Sequence, residues 1–235
     1  GHTVCHIKTD SIKVPKITLA YADEDIVQFI IDFGHEYGYS FETEAIFDKF
    51  CLVNDSVYIA KERGGGWTAT GAQFQVPYVF KTLFTHEDIG FDDLCETKSV
   101  TSALYLDMNE ALPEGAHDYR FVGRVGRFCP MKPGSGGGLL LRDAGDGKYA
   151  SANGATGYRW MEAEQVKELG LEGCIDRSYY DRQVDAAVAS ISKYGDFEWF
   201  VSDDTEPPAA FPPEEELPWY SDEELKNQIE KEKIA

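Results

Sequence analysis

Apolar and polar residues change period in a readable order along this chain. Near its start, His6-Ile7-Lys8-Thr9-Asp10-Ser11-Ile12-Lys13-Val14 sets apolar β-formers on either side of a polar Thr-Asp-Ser turn, which predicts strand, tight turn, strand. A helical period follows. Ala22-Asp23-Glu24-Asp25 puts acids at the positive end of a helix dipole, Ile26, Phe29, Ile30, Phe33 and Tyr37 recur at helical spacing, and Gly38 stops the run. The pattern predicts an amphipathic helix packed on the sheet, with its aromatics in the core. Residues 41–47 (FETEAIF) and 50–53 read as strand, and Asn54-Asp55 turns the chain into residues 56–60 as a hairpin. Period two puts Glu42 and Glu44 on one face of the first segment, where burial would require a cation or donors to receive them.

Gly64-Gly65-Gly66 reads as a flexible link, and residues 73–84 resume apolar structure that enters a helix after Pro77. Residues 100–106 read as a strand or a core helix, and Pro113-Glu114-Gly115 as a boundary. The run YRFVGRVGRF over 119–128 alternates, predicting a half-buried strand that carries Arg120, Arg124 and Arg127. A loop at 133–138 leads to a strand at 139–142, and Gly145-Asp146-Gly147 turns into 148–150. Residues 154–160 lead into a helix with Met161, Val166 and Leu169, ended by Gly170. A longer helix over about 177–194 turns Tyr180, Val184, Ala187, Val188 and Ile191 inward. Residues 197–201 close the globule.

From residue 202 the composition shifts to Glu, Asp and Pro. Pro207-Pro208 and Pro212-Pro213 bracket an extended linker, and the apolar cluster Leu217-Pro218-Trp219-Tyr220 precedes a short helix capped by Ser221 with Glu224. Charge sharpens this division. The chain of 235 residues carries a formal net charge of −20, and residues 202–235 hold eleven acidic and three basic side chains of it. Such a balance excludes a broad basic face, so any nucleic-acid contact must come from local basic clusters and backbone amides. Hydrophobic residues at 43% and aromatics at 13% predict a mostly globular chain. No apolar run reaches the roughly 18 residues of a membrane span, so no membrane partner is expected. The five cysteines are scattered with no C-x-x-C pair, which predicts reduced thiols in a cytoplasmic compartment. His2, Cys5 and His6 make a poor metal set, since Cys5 and His6 face opposite ways on a strand and no fourth ligand is near. The glycine-rich loop at 134–138 lacks the Gly-Lys-Ser/Thr ending of a phosphate loop and reads as flexible.

A carboxylate at a hairpin tip, a crossover helix and a strand with acidic side chains form a specific order. With residues 6–12 reading His-Ile-Lys-Thr-Asp-Ser-Ile, the chain resembles the catalytic palm of family B DNA polymerases, whose third motif runs approximately Tyr-x-Asp-Thr-Asp-Ser-Ile. The match keeps the second aspartate, Asp10, while Lys8 stands in place of the first. Residues 41–47 resemble the next palm strand, Leu-Glu-x-Glu-x-Ile-Tyr, with Glu44 as the accessory carboxylate. Residues 50–61 stand where the family has Lys-Lys-x-Tyr: Tyr58 matches, Asp55 and Ser56 occupy the lysine positions, and Lys61 and Arg63 are the substitutes. Residues 73–84, including Lys81, resemble the segment leading into the thumb. The wording KTDSIK and LVNDSVYIAK is most similar to polymerases of tailed bacteriophages.

The resemblance implies an α+β fold: an antiparallel palm sheet with packed helices over residues 1–84, a mixed α/β thumb-like region over 85–201, and an acidic Pro-rich tail over 202–235. It implies nucleotidyl transfer from a dNTP to a primer 3′-hydroxyl by two Mg²⁺ ions, held by Asp10 and Glu44 together with a family aspartate that this chain lacks. Ser11, Tyr58, Lys61, Arg63, Lys81, Arg124 and Arg159 become the expected DNA contacts, and the tail a docking segment for replication proteins in the host cytoplasm. The family's first and second motifs are missing, and the chain begins at Gly1. The expectation is therefore a C-terminal polymerase piece, inactive alone. The competing expectation is a non-catalytic phage accessory protein with a palm-like fold, favoured by Lys8, the lost lysines and the charge.

Overall fold

The computed structural model of the chain describes residues 4–8, 11–15, 22–108 and 117–204, the first four of α1 by backbone only. It is an α+β fold with antiparallel sheets. Strands β1 (His6–Lys8) and β2 (Ser11–Lys13) pair antiparallel with Lys8 opposite Ser11, as the alternation predicts. Thr9 and Asp10, which join them, lie outside the described residues. Helix α1 (Ala22–Glu36) ends as its glycine requires: Gly38 takes a φ of +79°, and the Tyr39 N–H reaches back to the Gly34 carbonyl at 2.9 Å. Its aromatics are not core. Phe29, Phe33 and Tyr37 remain 61%, 51% and 65% exposed and stack on one another along the helix, at ring separations of 5.9 and 4.9 Å. The reason is competition for the sheet, whose apolar face is taken by later helices.

That sheet is three-stranded, in the order β3 (Phe47–Asn54), β4 (Val57–Glu62), β5 (Trp67–Thr70). The expected turn is present, with the Asn54 Oδ1 accepting from the Ser56 N–H at 3.0 Å. The expected strand at 41–47 is not: only Phe47 belongs to β3. Its last rung is Arg63 N–H to Ile46 O at 2.8 Å, after which β4 gives out and residues 41–45 have no strand partner among the described residues. Gly64-Gly65-Gly66, read as a link, is the turn into β5, closed by Glu62 N–H to Gly66 O at 2.7 Å.

The sheet packs through Cys51 and Ile59 against Phe74, Val79, Leu83 and Phe84 around α2 (Pro77–Phe80). Ala187 and Ile191 of α4 (Ser178–Ile191) and Phe200 of α5 (Phe197–Val201) complete the layer. Residues on both sides of position 84 thus share one core.

A five-stranded antiparallel sheet follows: β6 (Glu96–Asp107), β7 (Tyr119–Met131), β8 (Leu139–Gly145), β9 (Lys148–Ser151) and β10 (Arg159–Glu162), ordered β10-β7-β6-β8-β9. Residues 159–162, read as the end of a lead-in and the start of a helix at Met161, are strand because they find β7: Arg159 lies opposite Met131 and Glu162 opposite Phe128. Helix α3 (Ala163–Glu168) starts only after them. The sheet curls until Gly138 and Trp160 exchange two backbone hydrogen bonds of 2.8 Å. This closure explains the last two glycines of the run. A Cβ on Gly137 would lie 2.7 Å from the Trp160 carbonyl oxygen, and one on Gly138 would strike the Asp107 carbonyl. Inside the curl, Trp160, Phe128, Leu104, Leu106, Leu140 and Tyr180 form the largest core, with the Trp160 Nε1–H donating to Ala155 O at 3.1 Å.

Candidate functional site

The β1–β2 hairpin meets the three-stranded sheet through one buried ring. His6 Nε2–H donates to the Asp55 carbonyl in the β3–β4 turn at 3.0 Å, and the ring lies 5.7 Å from Tyr58 and 6.4 Å from Phe50. Phe50 and Tyr58 are themselves 5.3 Å apart. Lys13 Nζ stands 4.8 Å over the Tyr58 ring and 3.5 Å from the Ser11 Oγ, so Ser11 and Tyr58 are brought together through one lysine. Asp10 lies outside the described residues. Glu44 and Glu42 sit exposed on the irregular stretch before β3, not on a common strand face. Among the described residues no group of three or more His, Cys, Asp or Glu side chains is placed to hold a metal ion.

The basic candidates are mostly engaged. Lys61 donates to Asp203 Oδ1 at 2.7 Å and to Ser202 O at 2.9 Å, and that ammonium holds the Asp203 carboxyl below the usual carboxylate range. Arg63 pairs with Asp48 at 3.3 Å. Lys81 donates to Asp93 Oδ2 at 3.0 Å, a bond that raises its ammonium above the ordinary lysine value. Arg159 donates to the carbonyls of Gly137 at 2.7 Å and Gly136 at 3.3 Å, bracing the closure of the curled sheet. On β7, Arg120 pairs with Glu162 and Arg127 with Asp92 at 2.6 Å, while Arg124 is exposed with no ion-pair partner among the described residues. The exposed Arg63–Asp48 and Arg127–Asp92 pairs are worth only about 0–1 kcal/mol each, so a phosphate can displace the acid there at little cost. Lys61 and Lys81, in contrast, are largely covered, and Asp93 also accepts from the Gly90 N–H.

Two groupings escape a reading of the sequence. Lys49 is buried, donates to the carbonyls of Ser202 (2.9 Å) and Trp199, and lies 4.4 Å over the Trp199 ring, closing the C-terminal end of α5. Burial and the charge of Lys61 push its ammonium below the usual lysine value. Its inward position beside Cys51 in the alternation of β3 was the available signal. On the five-stranded sheet, Tyr119 stacks on Tyr149 at 4.0 Å, Tyr105 lies 5.0 Å from Tyr149, and Phe121, 65% exposed, lies 5.6 Å from Tyr105. His117 covers Tyr119 and bonds Asp107 at 2.9 Å. This surface can stack planar or apolar groups. Among the described residues no helix is long and apolar enough to cross a membrane.

No family model, no curated protein and no solved structure matches the chain.

Proposed function

We propose that this chain is the C-terminal palm and thumb portion of a bacteriophage-type family B DNA polymerase, serving template-directed primer extension with dNTPs once joined to the rest of its active site. The observation that supports it best is that Lys8 and the Ser-Ile-Lys of the motif stretch lie on two antiparallel three-residue strands, followed by a 15-residue helix and an antiparallel three-stranded sheet, the order that the motif resemblance calls for. The fit to Mg²⁺ is poor in the described part: Glu44 is exposed on an irregular segment and no ligand cluster is present. Ion binding in this reading belongs to Asp10 and to carboxylates supplied from elsewhere. The described residues bind and orient the duplex instead. Arg63 exchanges its carboxylate for a phosphate, Lys61 and Lys81 contribute positive charge, Arg124 offers a guanidinium with no ion-pair partner among the described residues, and Ser11 and Tyr58 meet at the hairpin. The host cytoplasm as location and the tail as a docking segment belong to the same proposal.

Asp10→Asn in the intact polymerase is expected to abolish primer extension in a gel assay while leaving primer–template binding nearly unchanged. Substantial extension by that variant sinks the assignment. A second reading, a non-catalytic phage accessory protein, is favoured by the net charge of −20 and by the engaged state of Lys61, Arg63, Lys81 and Arg159. The coding DNA upstream of Gly1 separates the two. A continuous open frame that encodes an Asp-x-x-Ser-x-Tyr-Pro-like strand and a lysine-bearing fingers helix supports the polymerase, and a start codon at Gly1 supports the accessory protein.

A further inference from the structure

Antiparallel pairing of β6 with β7 sets Glu96 opposite Phe128, Thr97 opposite Arg127 and Lys98 opposite Gly126. One step further along the same register puts Cys95 opposite Cys129. The two sulfurs are 3.4 Å apart, and no other pair of thiols is in contact among the described residues. Directly opposed residues on antiparallel strands have Cα atoms about 4.5–5.5 Å apart, inside the range a disulfide spans. The sulfurs need to approach by only about 1.3 Å to reach bonding distance.

The two thiols differ in setting. Cys129 is fully buried in the core of the curled sheet. Cys95 is half-buried at the end of the tight turn Phe91–Leu94, with its Sγ 3.3 Å from the Phe91 carbonyl. Two cations stand near it: Arg127, held by Asp92, and Lys167, whose Nζ lies 4.5 Å over the Phe91 ring. The hydrogen bond from Cys129, helped by Arg127 and Lys167, lowers the Cys95 thiol below its ordinary value, whereas the same bond and burial raise Cys129.

We propose that Cys95 and Cys129 form a redox-active dithiol pair, in which Cys95 takes up an oxidising group and Cys129 resolves it to a cross-strand disulfide. With a low-molecular-weight disulfide as oxidant, the Cys95 thiolate attacks one of its sulfurs and expels a thiolate, leaving a mixed disulfide. Cys129 then gives up its proton and attacks the Cys95 sulfur, and the second thiolate leaves and takes that proton. Two protein thiols are oxidised and one small disulfide is reduced to two thiols. Nothing in this rests on the polymerase reading.

The test incubates the purified, reduced chain with oxidised glutathione under native conditions. Trapped thiols are then counted and the peptides mapped by mass spectrometry. The expected result is a peptide pair linked through Cys95 and Cys129 that dithiothreitol separates, with Cys5 carrying at most a mixed disulfide. In Cys129→Ala, Cys95 should stop as the glutathione adduct. Absence of the 95–129 link from the wild-type map overturns the proposal whether or not the variant folds, as does a link from Cys95 to any other thiol.

Discussion

The hairpin with α1 and the curled five-stranded sheet are built to opposite rules. The first holds the motif that suggests an activity, yet its described residues are thinly packed: His6 supplies their one buried ring, Ile7 is 67% exposed, and α1 turns three stacked aromatics outward. The second has no recognisable motif and buries Trp160, Tyr180, Phe128, Leu104 and Leu106 almost completely. Chemistry is written in a few polar residues at fixed spacing, whereas a core is written in a diffuse pattern that many sequences satisfy. A region can therefore be eloquent about function and nearly silent about stability.

The comparison is tested most severely at Trp160. Trp160→Ala removes a fully buried ring and the donor to Ala155 O, and urea unfolding should show a loss of about 3–5 kcal/mol. A loss under about 1 kcal/mol on the same scale would mean that the curled sheet is not the stability core. Gly138→Ala should cost about 1–3 kcal/mol, because the added methyl drives the Asp107 carbonyl and the Gly138–Trp160 bridge apart. An unchanged midpoint would show that the curl can open without penalty. Phe33→Ala, on the exposed stack of α1, should stay within about 0.5 kcal/mol of the parent. A cost comparable to that of Trp160→Ala would show that the aromatic face is covered in solution and that the contrast drawn here is false.

Legibility followed how local the cause was. The stripe Tyr180, Ala187 and Ile191 of α4 and the existence of strand β7 were readable because each element's period depends on its own residues, although Phe121 and Val125 of β7 turn outward rather than into the core. Residues 41–46 carried a strand's alternation but not its partner, since β4 ends at Glu62, and alternation alone does not make a sheet. Met161 looked helical beside Val166, and Trp160 looked like the lead into that helix, until β7 claimed both. Gly137 and Gly138, in isolation part of a flexible loop, are required by a backbone more than twenty positions away. Of the candidate site, the hairpin around residues 9 and 10 and the turn at Asn54 were legible; the carboxylates and carbonyls that occupy Lys61, Lys81 and Arg159 were not, because they come from distant sequence. The opposition of Cys95 and Cys129 depends wholly on register, which no spacing in the sequence discloses.

The bridge between Gly138 and Trp160 also bears on self-association. An antiparallel sheet ends in strands whose outward N–H and C=O groups can template a second chain. By folding Gly138 onto β10, the molecule spends part of that row on itself. The opposite edge, unpaired among the described residues, is β9, four residues long, flanked by the Gly145-Asp146-Gly147 turn and led by Lys148. A short edge marked by a lysine is a poor template, so the curl that completes the core also guards the sheet against edge-to-edge aggregation.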